Sequence, residues 1–181
     1  MKTILAASFA LLLSTTSVAG DTEISHIRNE YQNIQKALPS MKAESIPLSE
    51  YSTEGGEAKA YRDKKGNIRL LKVELFFESG KEFAEFYFEN DELIFAFYQR
   101  HRYNVPFYVT PEAAKGAGGV AFDPKKTKIT EDRNYFAKGR MIRWLDEEKK
   151  EVNAASKEFD EREKEIFKFL NEILPMFKHK T

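Results

Sequence analysis

The chain has 181 residues, balances 29 Lys and Arg against 29 Asp and Glu, and contains no cysteine. That composition excludes disulfides, thiol catalysis, zinc–thiolate sites and a lipid-modified cysteine, and it offers no basic excess with which to bind nucleic acid. After residue 20 no run approaches the ~18 apolar residues of a membrane span.

The first twenty residues have the anatomy of an export signal: Lys2 as a positive start, an apolar run over 4–13, and small residues at Ser17-Val18-Ala19-Gly20. Cleavage is expected at Ala19 or Gly20. It leaves 21–181, about 161 residues with a net charge of about −1, as a single domain in a bacterial periplasm or the medium.

Ile24, Ile27, Tyr31, Ile34 and Leu38 then recur at steps of three and four, which predicts an amphipathic helix over 21–38. Asp21 or Thr22 can cap it and Pro39 stops it. A strand is expected over 47–53, with Pro47 at its start, and another over 58–62, which leads into the turn at 63–67.

The next segment can be tested by register. With Ser79-Gly80 and Asn90-Asp91 as two-residue hairpin turns, one face collects Leu71, Val73, Leu75, Ala84, Phe86, Phe88, Leu93, Phe95 and Phe97. Two separate turns agreeing on one apolar face predict an antiparallel meander. Residues 104–130, with Pro106, Pro111, Gly116, Gly118, Gly119 and Pro124, break the alternation and predict a long functional or mobile loop. Residues 135–143 then echo 87–95 at an offset of 48, as a repeated hairpin would. Last, Phe159, Ile166, Phe169, Leu170, Ile173 and Leu174 form one helical stripe that Pro175 closes. The expected fold is α+β: an antiparallel meander sheet of about six or seven strands, with N-terminal and C-terminal amphipathic helices covering one face.

The candidate site lies on the other face, where the same register gathers Leu70, Lys72, Glu74, Phe76, Phe83, Glu85, Tyr87, Ile94, Tyr98 and Arg100. It sets Glu74 directly opposite Glu85, about 5 Å apart at Cβ. Such a pair needs a shared proton, a cation, or a bridge from Lys72 or Arg100, and could serve as acid and base. The run Tyr98-Gln99-Arg100-His101-Arg102-Tyr103 could hold an anionic or sugar-like ligand by hydrogen bonds and stacking. The glycine pair of Thr53-Glu54-Gly55-Gly56-Glu57 permits a tight turn or close approach to a ligand, which adds Glu57 to the candidates. The histidines His26, His101 and His179 have no metal-ligand spacing, and Gly116-Ala117-Gly118-Gly119 lacks the ending of a phosphate loop. No G-x-S-x-G elbow occurs, so no catalytic residue, metal or cofactor is assigned.

The stretch Thr53-Glu54-Gly55-Gly56-Glu57, followed by Glu85-Phe86-Tyr87-Phe88 and Leu93-Ile94-Phe95, resembles a family of small exported bacterial proteins of unknown function. They share a T-E-G-G-E loop and an aromatic Y-F-x-x-x-x-L-I-F hairpin. The resemblance spans residues 25–145 and implies an exported β-rich domain without implying an activity. The hairpins are also loosely similar to MORN-type repeats, whose glycine spacing is not sustained here.

The functional expectation is a non-enzymatic binding protein that holds an envelope component or a protein partner. It would use the exposed sheet face (Glu57, Glu74, Glu85, Tyr87, Tyr98, Arg100, His101) and the 104–130 loop. A homodimer would bury the same face. The alternatives are a hydrolase-type enzyme using the Glu74/Glu85 pair, and an inhibitor-like module presenting the loop.

Overall fold

A computed structural model describes residues 16–177. Most of the expected export signal (1–15) and His179 lie outside the described residues. The elements run α1 (Thr16–Ala37), β1 (Lys42–Pro47), β2 (Gly56–Arg62), β3 (Ile68–Phe77), β4 (Gly80–Glu89), β5 (Glu92–Arg102), α2 (Pro111–Ala117), β6 (Lys128–Ala137), β7 (Arg140–Leu145) and α3 (Lys157–Ile173). Seven strands form one antiparallel sheet in sequence order. Among the described residues no helix is long and apolar enough to cross a membrane.

Two amphipathic helices need two surfaces, and the sheet provides one on each side. The stripe Phe159, Ile166, Leu170 and Ile173 of α3 packs on Leu71, Val73, Ala84, Phe86, Phe88, Leu93, Ala96, Phe136 and Met141. Ile24, Ile27 and Ile34 of α1 pack on Leu70, Tyr87, Ile94, Phe95 and Tyr135. The helices therefore cover opposite faces, not one. Ser156 caps α3 by accepting from the Phe159 amide, and Glu158 and Asp160 follow in its first turn, where the helix dipole favours negative charge.

Local register departs from expectation at three places. The first hairpin turns at Glu78-Ser79, so Phe77 pairs with Gly80 and Val73 with Ala84. Gly80 belongs to the strand, where a Cβ would fall 2.3 Å from the His101 carbonyl oxygen. Its glycine serves close strand contact and not the turn. The Asn90-Asp91 turn is where expected, with φ of 51° and 64°, but a bulge follows Tyr87. Tyr87 pairs with Phe95 and Phe88 with Leu93, which leaves Ile94 as the extra residue. That one-residue shift exchanges the faces of the rest of β5. Phe95 and Phe97 turn to the α1 face, and Ala96, Tyr98 and Arg100 to the α3 face. At the third place β1 ends at Pro47, where a strand had been expected to start.

The echo at offset 48 reappears in three dimensions. Lys138 and Gly139 have φ of 53° and 72°, and a bulge after Tyr135 leaves Ile142 unpaired as its counterpart leaves Ile94. A similar bulge after Tyr61 leaves Arg69 over. Ile94 and Ile142 join the α1-side core, and Arg69 forms a tight ion pair with Glu30 of α1. Each bulge thus serves the α1 contact.

Candidate functional site

The helix α1 covers only half of its face. Its anchors, the His26–Glu89 pair at 2.7 Å and the Arg69–Glu30 pair, lie toward the end carrying the Asn90-Asp91 turn. Toward the Glu78-Ser79 end the sheet is open. Cross-strand rows there run Lys59, Lys72, Glu85, Phe97, Arg133; then Glu57, Glu74, Phe83, Gln99, Glu131; then Phe76, Lys81, His101, Ile129.

The expected carboxylate pair does not form. Glu74 faces Phe83, while Glu85 faces Lys72 and takes a 2.7 Å bond from its ammonium. The Tyr87 hydroxyl donates to the other Glu85 oxygen and accepts from Gln35 Nε2 at 2.6 Å. Burial, and then the bond to Glu85, hold that phenol protonated far above its ordinary range. Glu74 instead lies across from Glu57, both exposed, and Glu57 accepts from Ser45 Oγ at 3.2 Å. Exposure to solvent screens those like charges. Gly55 makes the turn at φ 80°, whereas at Gly56 a Cβ would meet the Glu74 carbonyl oxygen at 2.5 Å.

His101 packs edge-on to Phe83 at 5.3 Å, and its Nε2 and Gln99 Oε1 lie 2.8 Å apart. Burial, and then the nearby Lys81, lower its pKa. Tyr98 and Arg100 are separated from this surface by the sheet itself. They join a buried network on the α3 face that the sequence reading missed. Asp132, 3% exposed, accepts from Arg162 at 2.8 Å, Asn134 at 2.7 Å and Arg100 at 3.1 Å. The Arg162 guanidinium lies 4.1 Å from the Tyr98 ring centre. Alternation of Thr130, Asp132 and Asn134 on β6 was the available signal, since three polar residues take inward positions there. Beside the network a depression of about 470 Å³ is lined by Glu147, Glu158, Glu161 and Glu165.

The expected loop is built, not slack. Thr110 caps α2, Gly118 closes it in the left-handed region, and Asn104 ties both arms by bonding the Ala121 carbonyl and the Asp123 amide. Phe107 and Tyr108 are anchored to the β3–β4 turn through Glu78, yet their rings are exposed.

A cavity of about 310 Å³ opens where α1 stops covering the sheet, between Arg28 and Tyr31 above and Glu85, Phe97 and Arg133 below. Arg133 Nη2 bonds Glu131 at 2.7 Å and its guanidinium rests 5.2 Å from the Phe97 ring centre. Its Nη1 is buried without a hydrogen-bond partner. Comparisons with protein-family models, curated proteins and solved structures found no match.

Proposed function

We propose that this chain is an exported, non-enzymatic interaction protein. It holds a partner protein with the open half of the α1 face and the tip of the 103–127 excursion. The observation that carries the reading is where large apolar side chains remain exposed. Of the seven such residues, five (Phe76, Phe107, Tyr108, Val120 and Ile129) belong to this end of the sheet and its excursion. Exposed apolar residues gathered at one end mark an interaction surface more readily than the same residues scattered singly.

Charge favours a protein over a lipid surface as the occupant. Lys59, Lys72 and Lys81 interleave with Glu57, Glu74 and Glu131 in adjacent rows. An anionic membrane would be met by one sign of charge, and mixed signs suit a protein rim. Export is supported by the signal-like pattern of residues 1–20.

Native mass spectrometry of the protein released gently from its own periplasm tests both parts. The expected result is a chain beginning at Gly20 or Asp21 carrying additional protein mass, which a Phe76→Ser, Ile129→Ser double variant loses. A second copy of the chain would identify a homodimer. A bare processed monomer for both wild type and variant overturns the interaction reading, and an unprocessed chain overturns export. Deleting residues 112–120, which spares Phe107, Tyr108 and the sheet surface, should weaken the complex without abolishing it. Its complete loss would instead favour a module that presents the excursion to an inhibited partner.

A further inference from the structure

We infer that the cavity between α1 and the sheet binds a small organic monoanion: a carboxylate or phosphate head on a flat apolar body. This site adjoins the proposed protein-docking surface and shares its row of Glu85, Phe97 and Arg133, but anion binding is read on the chain alone and so fails or stands separately from partner binding.

The anion preference follows from a count of charge and of unmet donors. Three cations, Arg28, Lys72 and Arg133, stand at or beside the cavity against two carboxylates, Glu85 and Glu131. Glu85 is fully engaged by Lys72 and the Tyr87 hydroxyl, and Glu131 by Arg133 and Gln99. Arg28 makes no ion pair among the described residues, which leaves one positive charge uncompensated. Arg133 adds a second guanidinium at the cavity wall: its side chain is 26% exposed, and only its Nη1 is shut off from solvent. An acceptor oxygen entering the cavity meets the accessible part of this guanidinium together with the unpaired Arg28. Guanidinium donors suit the two oxygens of a carboxylate or phosphate.

The apolar part follows from the walls. Tyr31, Phe95 and Phe97 line the cavity, and Tyr31 meets Phe95 edge-on at 6.0 Å. A ring inserted between α1 and the sheet would find an aromatic edge on one side and a face on the other. At about 310 Å³ the space is at the small end of ligand sites, room for one ring and its head group.

Isothermal titration calorimetry of the mature chain with phenylacetate, phenyl phosphate and benzylamine decides the matter. Saturable binding of at least one anion is expected, with benzylamine silent, and the tighter anion identifies the head group. Arg133→Gln should weaken binding about tenfold or more, the loss of a charge-assisted hydrogen bond. Arg28→Gln, on an exposed helix position, should weaken it without disturbing the fold and keeps the test valid if the Arg133 variant unfolds. Absence of saturable binding by both anions overturns the inference. So does binding of benzylamine as tight as theirs, or an Arg28→Gln variant that binds as wild type does.

Discussion

The two faces of the sheet are built from the same strands and finished differently. On the α3 face the helix stripe meets a broad apolar surface, Asp132 gathers Arg100, Asn134 and Arg162 into one network, and Thr130 Oγ1 and Trp144 Nε1 stay buried without a partner. On the α1 face the helix seals one end through Ile24, Ile27 and Ile34, and the other end stays open. The half-closed face leaves exposed aromatic rings and an aromatic-walled cavity between helix and sheet, whereas the depression on the α3 side is lined mostly by charged side chains.

The sharpest way to break this contrast is Asp132→Ala. It breaks the buried ion pair of Arg162, whose side chain is 10% exposed and keeps only a 3.8 Å contact with the exposed Glu165 and a bond to Asn134, and it removes the acceptor that Arg100 and Asn134 share. A loss of about 3 kcal/mol is expected in urea denaturation, the cost of breaking a buried ion pair whose cation keeps a weaker partner. A loss below about 1 kcal/mol would show the network to be hydrated and the α3 face less closed than described. Next comes a matched pair. Ile166→Ala on α3 and Ile27→Ala on α1 delete the same atoms from residues 0% and 2% exposed. Ile166→Ala should cost about 4 kcal/mol, and Ile27→Ala, at the wall of an existing cavity, about 2 kcal/mol. Equal losses would erase the distinction between the faces.

The smallest effect concerns two histidines on the α1 side. The hydrogen bond to Glu89 raises the pKa of His26 above its ordinary value, so its contribution is complete below about pH 6 and fades as pH rises through the folded pKa. Because the pair is exposed, the effect stays below about 1 kcal/mol. His101 has the opposite sign: burial favours its neutral form, so stability falls when the pH drops below the unfolded pKa. Urea midpoints of His26→Gln should therefore approach wild type at alkaline pH and lag in mild acid, with His101→Gln showing the reverse. Parallel profiles for the two variants would contradict both assignments.

How far the sequence could be read differs from one residue to the next. The Asn90-Asp91 turn was legible because the two residues tolerate the left-handed backbone that a twisted hairpin demands. The Gly80 position misled for an instructive reason. Glycine marks either a turn or a close approach, and only the neighbouring His101 carbonyl distinguishes them. Its two-residue displacement kept every side chain on its expected face, yet it replaced a Glu74–Glu85 encounter with Lys72–Glu85. The bulge at Ile94 acted the other way, shifting by one residue and sending Tyr98 and Arg100 through the sheet from Glu85 and Tyr87.

By itself, then, the sequence determined the antiparallel meander, the two amphipathic helices and the repeated hairpin. Those follow from alternation, helical spacing and turn chemistry, which act over a few residues. Only the tertiary structure decided which face each helix covers and which charges meet. A bulge exposes or buries its extra residue according to what lies above it, and Ile94, Ile142 and Arg69 are drawn out by α1, a segment distant in the chain. The cavity arises from the same circumstance, because it lies along the edge of that helix, between Arg28 and Tyr31 and the sheet.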